Sequence, residues 1–395
     1  MMRHPLRSIV MLVCTAAVPA FAAPQPPGLT VREGNLIRNG KPYRAIGVNY
    51  CDLFQSLIAD GEATRTLDGL RFLGEKRIPF VRFWACGFWP SDWDLYFRDK
   101  KEWFRRLDRV VHTAEAAGVG LIPSLFWRTQ TYPDLFDEYN DQWGDPSSKT
   151  RRFMAEYVRE VVTRYADSPA IWGWEFANEM NLGCNLPNGM QFLGLRIPHL
   201  KVDLPRHERN LMTYEVANAA FRAFAEEVRR YDRYRFVTTG NSAPRPSSWH
   251  NWREKSWATD TREQMAEVYR WLNPPPIDVV SIHFYPPYGK EPEFAGAVGI
   301  EAVLARHKEL SNELKMPLFV GEFAASANPA DGLTMEQYRA QQTRLLDAML
   351  RTGVNLAAHW VFDYTADRKA PGLVRRGNEY AWILDQIAEY NARLR

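Results

Sequence analysis

IWGWEFANE, residues 171–179, is an apolar run of strand length that ends on an amide and a carboxylate. A run of this kind belongs in a core, so its charged end needs a place where the chain leaves the core and meets a cleft. Seven other runs share the pattern: YRAIGVNY (43–50), PFVRFW (79–84), VGLIPSLFW (119–127), RFVTTGN (235–241), DVVSIHFY (278–285), PLFVGEF (317–323) and NLAAHWVF (355–362). Between and after them lie segments with apolar residues every three or four positions, the period of an amphipathic helix. They run from ATRTLDGLRFLGEK and KEWFRRLDRVVHTAEAAG to TMEQYRAQQTRLLDAMLRTG and the last, YAWILDQIAEYNARL. Eight strands alternating with eight helices predict a (β/α)₈ barrel. A doubly wound open sheet is the rival, but it usually carries a Gly-rich loop after its first strand. NYCDLFQSL stands there instead.

Upstream, LTVREGNLIRNGKPYRAIG reads as a hairpin turned at Asn39-Gly40. Before it, Arg3, His4 and Arg7 precede the apolar SIVMLVCTAAVPAFA, with small residues at Ala20 and Ala22. That is the layout of a secretory leader cleaved near Ala22 or Ala23. An uncleaved anchor is the alternative, but Pro19 interrupts a stretch already short of the roughly 20 residues a spanning helix needs. The expected organisation is a leader, 1–23, and a single barrel domain, 24–395, exported to the periplasm or the medium and acting as a monomer.

Composition narrows the function. Lys and Arg total 50 against 47 Asp and Glu, with no basic block, so nucleic acid is not an implied partner. Beyond the leader, Cys51, Cys86 and Cys184 allow one disulfide or none, and with no CxxC or paired His/Cys spacing they suggest no zinc or redox site. Long excursions follow the second to fifth strands, all at the C-terminal face where barrels place their binding residues.

At that face two carboxylates end strands on opposite sides of the mouth: Glu179 on the fourth strand and Glu322 on the seventh. One carboxyl group to protonate a leaving oxygen and one to stabilise or attack an oxocarbenium-like carbon is what glycosidic bond cleavage requires. Neighbours suit the same chemistry. Arg82 can hold a carboxylate ionised. His283 and Tyr285 share an orientation on the sixth strand, toward the mouth, where Tyr285 can serve the nucleophile and His283 the acid. Asn178 carries an amide suited to a sugar hydroxyl, and Trp360 offers a flat face to a pyranose ring.

These residues, in this order and on these strands, resemble glycoside hydrolase family 5, the cellulase and β-mannanase family of retaining (β/α)₈ β-glycosidases. The resemblance runs from NGKPYRAIGVNY to the last helix. It implies Glu179 as acid/base, Glu322 as nucleophile, Arg82, Asn178, His283, Tyr285 and Trp360 as supporting and substrate-binding residues, and no metal or cofactor. Two departures stand out. Where many members carry a histidine after the third strand this chain reads SLFWRTQ, so Trp127 or Arg128 is expected at the first sugar subsite. Where many have proline after the acid/base, Met180 and Asn181 follow. Asp52, Trp89, Trp252 and Asp363 are further candidate sugar contacts, and Glu175 a supporting one. Trp93, Trp143, Trp249 and Trp257 also sit in the upper loops, where aromatic rings either stack on sugar or pack the loops. The predicted function is hydrolysis of a β-linked glucan, mannan or related oligosaccharide. Transglycosylation by the same residues is the alternative within the chemistry, and a non-catalytic carbohydrate-binding barrel the alternative outside it.

Overall fold

The computed structural model describes residues 27–193, 207–326, 331–365 and 372–394; the leader expected at 1–23 lies outside them. Eight parallel strands form the barrel: β1 (Ala45–Asn49), β2 (Phe80–Trp84), β3 (Gly120–Ser124), β4 (Gly173–Glu175), β5 (Phe236–Thr238), β6 (Val280–Phe284), β7 (Leu318–Phe323) and β8 (Leu356–His359). Neighbours follow chain order, with β8 pairing β1. A bridge from Thr238 to Val279 links β5 to β6 and completes the ring. Each strand precedes its helix: α1 (Arg65–Glu75), α2 (Lys100–Ala117), α3 (Lys149–Arg164), α4 (Tyr214–Tyr231), α5 (Arg262–Leu272), α6 (Ile300–Glu313), α7 (Met335–Thr352) and α8 (Trp382–Arg393). These sit where the apolar periodicity puts them, because each buries one stripe against the barrel. The boundaries are chemical. Thr261 with Gln264 and Thr334 with Gln337 make capping boxes, and Gly118 and Gly353 end their helices in the left-handed conformation.

The strands are shorter than the runs that announce them. β4 is the extreme case, three residues out of nine, yet pairing continues past it. Phe176, Ala177 and Glu179 donate backbone N–H to Thr238, Thr239 and Gly240, and Asn178 to Trp127. The upstream segment has two turns rather than one. Strands Thr30–Arg32, Asn35–Arg38 and Lys41–Pro42 are joined at Glu33-Gly34 and Asn39-Gly40, all four at positive φ.

This small sheet covers the N-terminal end of the barrel. Leu29 and Leu36 join Ala45, Phe80, Ile122, Trp172, Phe236 and Phe319 in a buried cluster, with Tyr43 edge-on to Trp172 at 5.5 Å. The large rings fit because glycines face them: a Cβ on Gly120 would lie 2.1 Å from the Trp172 ring. No helix among the described residues is long and apolar enough to cross a membrane. Cys51, Cys86 and Cys184 are free and buried, which decides the question that their number left open.

Trp172→Ala should remove this floor. Truncating so large a buried side chain costs about 3–5 kcal/mol, so its urea midpoint should fall well below that of the wild type, whereas a midpoint within error would show that the floor carries little of the stability.

Candidate active site

The polar end of the barrel is organised by one buried cation. Arg82 projects inward from β2, fully buried. Its Nε donates to both carboxylate oxygens of Glu175, each at 2.9 Å. Nη1 donates to Glu322 at 2.8 Å and to the Asn49 carbonyl at 3.1 Å, and Nη2 to the Asn178 carbonyl at 2.8 Å. Burial alone would lower its pKa, but Glu175 and Glu322 outweigh that and raise it further. Asn178 is thereby oriented: its carbonyl faces Arg82 and its NH₂ is left for the mouth.

Glu322 lies on β7 with one oxygen on Arg82 and the other accepting from the Tyr285 hydroxyl at 2.7 Å. Burial and the charge of Glu322 push the Tyr285 phenol well above its usual pKa, so it remains a donor. Register puts Glu322 beside His283 of β6. His283 Nδ1 is 2.8 Å from Glu179 and 3.4 Å from Glu322, while Nε2 has no hydrogen-bond partner among the described residues. The proton therefore belongs on Nδ1, between the two carboxylates.

Glu179 stands four residues past the end of β4, with φ at +53°. A left-handed glutamate is uncommon and marks a position held by its surroundings. Burial pushes its carboxyl pKa up, but the hydrogen bond and charge of His283, with the charge of Arg82, outweigh burial and leave it below the usual range. The residue after next explains part of the hold. Asn181 donates its amide to Ser242 O at 2.9 Å and accepts from Ser242 N at 3.0 Å, tying the chain after β4 to the chain after β5. That reciprocal pair is the structural content of the Met180-Asn181 departure.

The remaining candidates fall into three groups. Trp360 sits beyond β8, partly buried and edge-on to Tyr364 at 6.1 Å. Trp127 is 5 % exposed and lies 4.4 Å from the Arg82 guanidinium and 5.1 Å from Trp84, so it buttresses Arg82 from beside the mouth instead of presenting a free face to sugar. Arg128, next in sequence, reaches the rim and stacks on the exposed Trp89 at 4.4 Å. Asp52 and Asp363 both pair with Arg65, and Asp52 also accepts from Thr365, so they form a rim ion cluster.

Trp252 is corrected outright. It lies on the short helix Ser248–Glu254, bonded to Glu215 and edge-on to Trp271, so it packs the excursion after β5. Trp93 and Trp143 are likewise fully buried, among Trp103 and Phe153 and among Phe126 and Phe176. Trp257 stays exposed.

A cavity of about 330 Å³ opens beside Glu179, lined by Arg128, Asn178, Met180, Phe192 and Met212 among others. Sequence reasoning missed Asn49, whose NH₂ donates to Gly321 O at 2.9 Å and Ala358 O at 3.1 Å while its carbonyl receives Arg82. Its one signal is an amide ending an otherwise apolar first strand. The donor atoms of Glu179, His283 and Glu322 lie within 4.8 Å of one another, close enough to converge on a cation as well as on a reacting carbon.

Comparison with known proteins agrees with this geometry. The family model described as cellulase (glycosyl hydrolase family 5) matches residues 38–365. A probable mannan endo-1,4-beta-mannosidase A-2 of Aspergillus terreus is 36 % identical over 89 residues, 20 % of this chain and 22 % of that protein. The matched segments thus span about a fifth of the length of such curated relatives. The solved endo-1,4-beta-mannanase of Rhizomucor miehei is 18 % identical with a TM-score of 0.63, covering 93 % of this chain and 99 % of that one. The exo-beta-1,4-mannosidase Op5Man5 of Opitutaceae bacterium strain TAV5 is 16 % identical with a TM-score of 0.58, covering 92 % and 62 %. At these identities the structural likeness concerns the fold.

Arg82→Ala should leave Glu175 buried without its counter-charge, at a cost of about 3–5 kcal/mol. Replacing Arg82 and Glu175 together by Met and Leu should recover much of that in urea unfolding while leaving activity lost. Equal destabilisation in the single and double variants would deny the pairing its electrostatic basis.

Proposed function

Because the chain belongs to glycosyl hydrolase family 5, we propose that it is a retaining β-glycosidase acting on β-1,4-linked mannan or manno-oligosaccharides. The observation that carries the reaction type is the closeness of the two carboxylates, whose facing oxygens lie within 4.8 Å. An inverting pair needs roughly 6.5–9.5 Å to admit a water, whereas a retaining pair stands at about 5–5.5 Å. The choice of mannan rests on the curated relatives, which are mannan endo-1,4-beta-mannosidases. The pocket beside Glu179 adds room for sugar on the leaving-group side.

In this reading the Glu322 oxygen attacks the anomeric carbon as the glycosidic bond breaks, and Glu179 gives its proton to the departing oxygen. Glu179 then takes a proton from water, which displaces Glu322 and returns the sugar with its original configuration. Arg82 and Tyr285 each donate to one oxygen of Glu322 and so aim it at one position, which reserves it for attack. Asn178 presents its NH₂ to a hydroxyl of the sugar at the point of cleavage, and Trp360 gives that ring its apolar wall.

Glu179 carries a difficulty with it. A general acid must start protonated, yet His283 and Arg82 favour its charged form in the empty site. Substrate resolves this by covering the half-exposed carboxyl and excluding water, which strengthens the burial effect and raises the pKa. The sign follows: activity falls as pH rises through the Glu179 pKa, and that fall comes at lower pH in kcat/KM than in kcat.

Glu322→Gly should not hydrolyse β-mannan, and azide should restore turnover of an aryl β-mannoside as the α-mannosyl azide. Rescue by azide of the Glu179 variant alone, as the β-azide, would exchange the two roles. Proton NMR of the first product should show the β-anomer. A panel of mannans, glucans, xylans and aryl glycosides tests the sugar; faster cleavage of a glucan would overturn mannan while sparing the mechanism.

His283→Asn removes the imidazole whose contact favours the charged form of Glu179. The alkaline limb of its kcat/KM profile should move to higher pH, and an unmoved limb would mean that Glu179 is not the group whose protonation is being read.

A further inference from the structure

The end of the barrel opposite the carboxylates has a pocket of its own, about 690 Å³, between the Glu33-Gly34 turn, the end of α6 and the start of β8. Arg44, Lys308 and Lys315 line it, with the amides of Asn312 and Asn355; the one carboxylate on its lining is the exposed Glu33. Among the described residues neither Arg44 nor Lys308 has an ion-pair partner. Arg44 places Nε on Val354 O at 2.9 Å and Nη2 on Met349 O and Leu350 O, each at 3.0 Å. That caps the C-terminal carbonyls of α7 and accounts for the residue's conformation. Nη1 has no acceptor among the described residues. Lys308 donates one bond, to Asn355 Oδ1 at 2.7 Å, and an ammonium has three N–H.

Capping explains Arg44 but not Lys308. The single bond from Lys308 is one that a neutral amide side chain can supply. Instead, an ammonium is held half-buried, near another cation, with no ion-pair partner among the described residues. Burial and then the Arg44 charge draw its pKa down to about 8. Burial lowers that of Arg44 as well. A half-buried pair of like charges is unfavourable unless something of opposite sign completes it. Arg44 and Lys308, each with donors to spare, both line this cavity, and Lys315 lines it too.

We propose that this pocket is a binding site for a phosphoryl group, carried by a soluble phosphate ester or by a lipid headgroup. A compact dianion with several acceptor oxygens suits a partly satisfied guanidinium beside an ammonium and amides. The cavity exceeds what a bare phosphate fills, leaving space for the body that bears it. A ligand held here binds the closed end of the barrel, and the catalytic mouth faces away from whatever carries the phosphate.

The test uses the full chain and pyrophosphate, followed by calorimetry and thermal melting against sodium chloride of equal ionic strength. Pyrophosphate should bind and raise Tm beyond the chloride control. Lys308→Gln, which keeps a neutral N–H donor at this position, should weaken that binding about tenfold or more and lose the Tm rise, with mannan hydrolysis unchanged. It should also melt no lower than the wild type in anion-free buffer, which shows that it folds. Co-sedimentation with phosphatidylglycerol vesicles but not phosphatidylcholine, lost in Lys308→Gln, supports a lipid source. Pyrophosphate binding without vesicle binding supports a soluble ester. A pyrophosphate effect no larger than that of chloride, or one undiminished in Lys308→Gln, overturns the site.

Discussion

Burying a guanidinium is costly, and this barrel does it at the centre of its polar end. Arg82 has no exposed surface, and taking such an ion out of water is tolerable only when its donors meet well-placed acceptors. Glu175, Glu322, Asn49 and Asn178 supply them, from β4, β7, β1 and the chain beyond β4. The planar fork matters, since a lysine cannot reach four side chains in fixed directions. One guanidinium is shared between two carboxyl groups and two amides. The barrel's geometry and the site's electrostatics are thus one arrangement, since the strands that must close the ring also bring the acceptors to the arginine.

Much of this was legible in the sequence because barrel strands and helices have strong local signatures. Each apolar run had to be buried, and each polar residue at a run's end had to surface at the mouth. That reasoning singles out Asn178, Glu179, His283, Tyr285 and Glu322, which the fold brings to one end of the barrel. What escaped depends on neighbours distant in sequence. Nothing local shows that Asn49 braces β1 against β7 and β8, or that Asn181 and Ser242 bind each other. Trp127 is a sugar candidate because it follows the third strand where related chains carry a histidine, and Trp252 because tryptophans in upper loops serve either purpose. Which purpose is decided by the ring's partner, an arginine in one case and a packed helix in the other. Run length overstated the strands, most of all at β4, because pairing by single backbone bonds continues where regular ladder geometry has ended.

The two ends of the barrel solve opposite problems. At the N-terminal end, large rings fill the bore and the small antiparallel sheet keeps water from them. At the C-terminal end the bore is lined by charged and amide groups whose positions must hold to within a fraction of an ångström. A rigid apolar floor beneath a polar network is a reasonable division of labour, because the packing below limits how far the strands above can shift.

The pair between Asn181 and Ser242 bears on how such an enzyme changes over time. The long excursion after β4 leaves just beyond Asn181 and returns at Met212, where its two ends meet again through the Cys184–Met212 bridge and the Asn185 N–H to Met212 O. It is therefore a peninsula with a closed neck. Insertions, deletions or wholesale replacement of its tip need not propagate to Glu179, which is fastened on the landward side. A lineage can exchange that tip while inheriting the placement of Glu179 untouched.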